Sequence, residues 1–248
     1  QMGMVSSARV FDLLDNDELI HQSGNNQLES FNGQISFKNV HFSYDGRSKV
    51  FDGLSLDVRS GETIAVVGPT GAGKTSLINL ISRYYEFQEG EILLDGMDIR
   101  SISLSSLRSK VAVVLQDVFL FNTSVLENIT LGKKEIEFEE VIEAAKKVGV
   151  HGFISQLDGS YEFQVKERGG VLSSGQRQLI SFLRAYICKP DLLILDEATS
   201  SVDSGAEELI QKATKVITKD RTSIIIAHRL STIKNADRIL VIDRGKII

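Results

Sequence analysis

The stretch Gly68-Pro69-Thr70-Gly71-Ala72-Gly73-Lys74-Thr75-Ser76, "GPTGAGKTS", follows the apolar run Ile64–Val67 and precedes Leu77, Ile78, Ile81 and Tyr84 at helical spacing. It fits the pattern G-x-x-x-x-G-K-[ST], and each position has a physical reason. The glycines let the backbone curl until several amide hydrogens face one anion, and the positive end of the following helix adds to that field. Lys74 supplies a charge for the outer phosphates of a nucleotide, and Thr75 a hydroxyl that can ligate Mg2+. A chance glycine turn is the bland alternative. The apolar strand before it and the amphipathic helix after it make that alternative the poorer one.

Working outward, further apolar runs occur at Val111–Leu115, Leu192–Leu195, Ser223–Ala227 and Ile239–Ile242. Continuous runs of this length suit strands covered on both faces, as in a parallel sheet between helices. Helical patterns lie between them: Phe138, Val141, Ile142, Ala145, and then Leu179, Ile180, Leu183, Tyr186, Ile187. The region from about 120 to 190 has helical patterns and no convincing strand, which predicts an inserted α-helical subdomain. Upstream, alternation at Ile35, Phe37, Val40, Phe42 and Tyr44, then Leu54, Leu56 and Val58, predicts half-buried antiparallel strands. The polar stretch 16–33, "NDELIHQSGNNQLESFNG", has the composition of a linker, and Val5, Ala8, Phe11 and Leu14 suggest a helical end before it. The expected fold is therefore α/β: a mostly parallel sheet flanked by helices, with an antiparallel β subdomain and the helical insertion.

In open α/β sheets, ligands bind outside the carboxyl ends of the parallel strands. After Val67 comes the glycine loop, after Leu115 comes Gln116, after Leu195 come Asp196 and Glu197, and after Ala227 comes His228. Asp196 is positioned to hold a metal opposite Thr75, and Glu197 to orient and activate water. Capping of the next helix is the plainer reading of that pair. His228 and Gln116 would be weak signals alone; they gain weight by arriving at one edge. Tyr44 is either a core residue or a ring on which a base stacks. A second anion site is suggested by "VLSSGQRQ", 171–178, where the Ser173 hydroxyl and the Gly175 amide stand at a helix start. On its own, that stretch is first of all a serine N-cap.

Composition narrows the function classes. The 248 residues carry a formal charge of −5, which argues against a general nucleic-acid binder, whose phosphate affinity needs a clustered basic excess. Cys188 is the single cysteine, so no internal disulfide or cysteine metal cluster forms, and the 4 histidines show no zinc-like spacing. No apolar run approaches the roughly 18 residues that span a bilayer. The chain begins at Gln1 and ends in "DRGKII", and is expected to be a soluble piece of something longer.

Together these motifs resemble the ATP-binding domain of an ATP-binding cassette (ABC) transporter of the exporter class, a phosphate-loop NTPase. The resemblance implies that residues 1–30 are the tail of a transmembrane domain with its linker and that 31–248 are the ATP-binding domain. In the family's terms Gly68–Ser76 is Walker A, Leu192–Glu197 is Walker B, and Glu197 is the catalytic base. Gln116 is the Q-loop glutamine near Mg2+, His228 the switch histidine on the γ-phosphate, Tyr44 the ring on adenine, and Asp203 the end of the D-loop. Leu172–Gln176 stands where the signature L-S-G-G-Q is expected, so Ser173, Gly175 and Gln176 would complete an ATP site in a second domain packed head to tail. The resemblance thus implies ATP with Mg2+, a second cassette as homo- or heterodimer, and a transmembrane domain at the cytoplasmic face of a membrane, with ATP hydrolysis driving export. Ser174 departs from the signature's glycine, and Lys166 from the glycine of the exporter X-loop, which keeps Glu167 and Arg168. Three rivals fit less well. A soluble, nucleic-acid-associated ABC ATPase lacks its basic surface here, a non-hydrolysing nucleotide binder does not need Glu197 and His228, and a phosphate-loop kinase leaves "LSSGQRQ" unexplained.

Overall fold

The computed structural model describes residues 7, 9–11, 24–166, 169–196, 204–227 and 230–248. Two sheets share the chain. The first is antiparallel, with strands β1 (Ile35–Ser43), β2 (Lys49–Val58), β4 (Glu89–Leu94) and β5 (Met97–Asp98) in the order β2-β1-β4-β5. The alternation that predicted β1 and β2 points Ile35, Phe37, Phe42, Leu54, Leu56 and Val58 inward, in register pairs such as Phe37 with Leu56 and Val40 with Leu54. The second sheet contains β3 (Thr63–Val67), β6 (Val111–Val114), β7 (Leu192–Asp196), β8 (Thr222–Ile226), β9 (Arg238–Asp243) and β10 (Lys246–Ile247). Its order is β10-β9-β3-β8-β7-β6, parallel throughout except for the terminal β9–β10 hairpin.

The continuous apolar runs have a direct cause. In β7 and β8, Leu192, Ile194, Ile224 and Ile226 face one core, shared with Phe37, Phe42, Phe51, Leu77 and Ile81. Their neighbours Leu193, Leu195 and Ile225 face the other core, with Val141, Leu179, Phe182, Leu183 and Ile210. Successive residues of a strand point to opposite faces, so a strand with a core on each side is apolar at nearly every position, with buried Thr222 and Ser223 at the start of β8 the exceptions.

Eight helices are described: α1 (Lys74–Ile81), α2 (Leu104–Lys110), α3 (Val125–Thr130), α4 (Phe138–Val148), α5 (His151–Ser155), α6 (Ser174–Ile187), α7 (Ser204–Thr218) and α8 (Leu230–Lys234). The helices α3 to α6 occupy the chain between β6 and β7, and α6 packs on α3, α4 and α7. This architecture is the expected α/β class.

Several details differ from the sequence reading. The helix after the glycine loop stops at Ile81 and does not reach Tyr84: Arg83 adopts a φ of 47°, and its guanidinium turns inward to Glu86 and to the carbonyls of Ile99 and Ile102. Strand β6 ends at Val114, leaving Leu115 exposed. The β4–β5 hairpin was not foreseen, although Asp95-Gly96, both at positive φ, is the residue pair that a tight hairpin turn demands. The stretch expected to be a linker is, from Gly24 onward, held against the domain. Asn26 pairs with Ile102 in a parallel bridge, the Leu28 amide donates to Ser106 Oγ at 2.7 Å, and Leu28 and Phe31 are buried. Two apolar anchors in a polar context are a weak signal, but each removes a full side chain from water.

Candidate functional site

The glycine loop leaves the carboxyl end of β3, which lies between β9 and β8. Gly68 backs onto β9 so closely that a Cβ there would stand 2.0 Å from the Ile242 carbonyl oxygen. The loop is tied to the β9–β10 turn as well, where the Gly245 amide donates to the Ala72 carbonyl at 3.0 Å. Gly73 ends the loop at a φ of 108°, a left-handed conformation, and a Cβ on it would meet the Phe51 ring at 2.8 Å. The loop is therefore clamped from behind by β9 and its turn, and at its exit by β2.

Lys74 begins α1 and is 92% buried by its surroundings, with 8% of its surface exposed. Its ammonium donates to the Gly68 and Pro69 carbonyls at 2.8 and 2.9 Å. A buried cation held by loop carbonyl dipoles, at the amino end of a helix, presents positive charge to an anion at the loop.

The loop opens into a cavity of about 370 Å³ lined by Tyr44, Thr70, Gly71, Gly73, Lys74, Thr75, Ser76, Gln116 and Asp196. Val50 and Ile226, which sequence reasoning passed over, complete its wall. Thus three of the four strand ends expected at one edge do converge: the glycine loop after β3, Gln116 after β6 and Asp196 closing β7. Thr75, Gln116 and Asp196 bring a hydroxyl, an amide and a carboxylate to that wall. All three supply oxygen donors, the kind a hard divalent cation such as Mg2+ takes. Tyr44 borders the cavity half-exposed, its hydroxyl bonded to Ser76 Oγ and Asn79 Nδ2 at 3.0 Å each. Its ring is packed edge-on against Phe42 and Tyr85. Asn79 and Tyr85 were not foreseen; both sit within a few residues of the loop in sequence, but only the fold turns them toward Tyr44. Glu197, Asp203 and His228 lie outside the described residues, as do Glu167 and Arg168.

Ser173, Gly175 and Gln176 are not on that cavity. They form the amino end of α6, where Ser173 is an N-cap: its Oγ accepts from the Gln176 amide at 3.2 Å while Gln176 Oε1 accepts from the Ser173 amide at 2.9 Å. The plain N-cap reading is thus realised in full, as a capping box. It does not use up the serine, because the hydroxyl hydrogen is still available to donate.

With this geometry in hand, the similarities to known proteins are informative. A family model described as ABC transporter matches residues 51–200. An uncharacterised ABC transporter ATP-binding protein of Bacillus subtilis (strain 168) is 49% identical over 248 residues, covering 100% of this chain and 41% of the relative. A fatty acid ABC transporter ATP-binding/permease protein of Mycobacterium tuberculosis is 47% identical, covering 100% of this chain and 39% of the relative. An ATP-dependent lipid A-core flippase of Desulfotalea psychrophila is 44% identical, covering 100% and 42%. A bacterial Atm1-family ABC exporter solved with ATP bound superimposes with a TM-score of 0.87 at 36% identity, covering 100% of this chain and 44% of that one. The chain spans about two fifths of the length of these relatives. Among the described residues no helix is long and apolar enough to cross a membrane. The glycine loop on β3, the Gln116 and Asp196 strand ends beside it and these similarities together make the chain a member of the ABC transporter family, spanning its ATP-binding domain.

Proposed function

We propose that residues 31–248, with the segment from Gly24 packed on them, form a Mg2+-dependent ATPase domain that powers export through a membrane domain, and that the earlier part of residues 1–30 belongs to the tail and linker of that membrane domain. The observation that carries the proposal is the separation of two phosphate-seeking surfaces. The Lys74 loop lines one cavity, while the Ser173 end of α6 lies off it. A single chain then offers halves of two different ATP sites, and a second cassette, identical or not, supplies the complements.

In this reading the amides of Gly68–Ser76 and the Lys74 ammonium hold the triphosphate, and the Tyr44 ring stacks on adenine. Thr75, Gln116 and Asp196 would hold Mg2+, which when bound neutralises charge building on the phosphate oxygens. Glu197 takes a proton from the attacking water, and His228 steadies the γ-phosphate. Ser173 and Gly175 of a partner donate to that phosphate across the interface, with Gln176 and Asp203 beside them. ATP closes the pair because the triphosphate bridges two positively polarised surfaces; phosphate loss removes the bridge. The loop from Gln116 to Phe121 and the Glu167–Arg168 pair pass the motion to membrane helices. The similarity to exporters supports export over import, and the cargo would be recognised by the membrane domain.

Light scattering on Glu197→Gln with Mg2+ and ATP, beside the same protein without nucleotide, tests this. A monomer that becomes a dimer only with ATP supports it. A monomer that binds ATP and never pairs removes the self-paired arrangement.

A further inference from the structure

We infer that Arg184 is a positioning residue that locks the helix beginning at Ser173–Gln176 to the loop following Gln116, so that the two surfaces serving ATP move as one body. This rests on the ATPase reading above. Arg184 lies in the last turn of α6, far along that helix from its capped end. Its Nε donates to the Asn128 carbonyl at 2.7 Å, its Nη1 to the Phe119 carbonyl at 3.3 Å, and its Nη2 to Asn128 Oδ1 at 3.3 Å. Asn128, with 0% of its surface exposed, continues the link: Oδ1 accepts from the Phe121 amide at 2.8 Å, and Nδ2 donates to the Phe121 carbonyl at 3.0 Å. The loop that starts at Gln116 is therefore gripped at Phe119 and Phe121 by one asparagine and one guanidinium. The grip reaches it from α3 and α6.

The chemistry of the grip is unusual for a fastener. These three partners of the guanidinium are neutral oxygens, and burial depresses its pKa from the ordinary value, with Cys188 opposing. A half-buried cation without a carboxylate among these partners is a costly way to fill space, since an apolar side chain of similar size serves stability as well or better. Arg, however, offers several N–H donors in a rigid fork, which fixes direction as well as distance. That suits a part whose task is to hold a loop at one orientation to a helix. Phe119 and Phe121, edge to face with ring centres 5.1 Å apart and half-exposed, ride on the gripped segment.

The test compares the wild-type chain with Arg184→Met and Arg184→Lys in three measurements: equilibrium ATP affinity, turnover at saturating Mg2+-ATP, and hydrogen exchange of the 117–123 and 173–180 segments with and without ATP. In the wild type, ATP is expected to protect both segments together. In Arg184→Met, affinity stays within about twofold, because the Lys74 loop is untouched. Turnover falls about tenfold, as when a charge-assisted hydrogen bond that matters in the transition state is lost, and the two segments respond to ATP separately. Arg184→Lys keeps the charge without the fork and should fall between; it also carries the test if the methionine variant does not fold. Joint protection and wild-type turnover in a folded variant, even one with a lowered melting temperature, would overturn the inference and leave Arg184 a fastener. Absence of turnover in the wild type would instead count against the ATPase reading, and the exchange pattern would still decide whether the link exists.

Discussion

Three glycines of the phosphate loop give a graded experiment, because the space around them differs. At Gly71 a Cβ meets nothing within 4 Å, so alanine suffers only the left-handed backbone at a φ of 80°. That strain is about 1–2 kcal/mol. At Gly73, φ is 108° and the Cβ would also stand 2.8 Å from the Phe51 ring, itself fully buried on β2. An overpacked core contact adds about 1–3 kcal/mol, for a total of about 2–5 kcal/mol. At Gly68 the obstacle is backbone: the Ile242 carbonyl at 2.0 Å, in a strand hydrogen-bonded on both sides, cannot rotate away as a ring can. Gly68→Ala should therefore be the worst, at more than about 3 kcal/mol or with a loop displaced from its strand. Urea unfolding of the nucleotide-free chain measures the order, since midpoint shifts at constant slope report stability. ATP affinity should follow the same order for Gly73 and Gly68, because relief of either clash moves the amides that face the phosphate. If Gly71→Ala proves as damaging as Gly68→Ala, the loop is held by something other than contact with β2 and β9, and the clamp described above is wrong.

Other outcomes follow from single contacts. Tyr44→Phe keeps the ring but loses the bonds to Ser76 and Asn79, so ATP affinity should change little, whereas Tyr44→Ala removes the stacking face and should weaken binding about tenfold in a titration. Ser173→Ala breaks the capping box and should cost about 1 kcal/mol in unfolding, while Ser173→Asp keeps the cap but sets a negative charge at the helix mouth. The aspartate variant should retain stability and lose ATP-driven pairing by light scattering. Burial pushes Asp98 up, but bonds from Arg100's side chain and amide outweigh it and hold the carboxyl below its ordinary 3.8. A depressed folded pKa gives stability that is present above 3.8 and disappears as pH falls through the folded value. The stability gap between wild type and Asp98→Asn should therefore be full at neutral pH and close under acid; a gap that persists there would contradict the ion pair with Arg100.

How much of this could be read from residues alone depended on how far the cause lies from its effect in the chain. The glycine loop, the two-faced strands and the alternation of β1 and β2 are local patterns with local causes, and they appear where the pattern placed them, except that Leu115 and Tyr44 fall just past the ends of β6 and β1. Gln116 and Asp196 were legible only through the rule that ligands gather at strand ends; the cavity they share with Lys74 bears that rule out in geometry. Three kinds of feature escaped. The early stop at Arg83 escaped because a buried guanidinium overrode the helical spacing of Tyr84. The hold on residues 24–34 escaped because its partners are about 60 to 80 positions away, such as Ser106 for Leu28 and Asp95 for Gln34. The Asn128–Arg184 link escaped because an asparagine and an arginine in helices carry no periodic signal; their meaning appears only when positions 56 apart in sequence fold together.

The order of strands in the second sheet has one more consequence. The phosphate loop springs from β3, gripped by neighbours on either side, while Gln116 springs from β6, which among the described residues has β7 on one side and no strand on the other. One cavity is thus walled by the end of an interior strand and the end of an edge strand of the same sheet. A nucleotide seated there would press on a strand braced from both sides and on one braced from one side only. Any shift on the β6 side would be passed through the gripped loop to Phe119 and Phe121, which face outward.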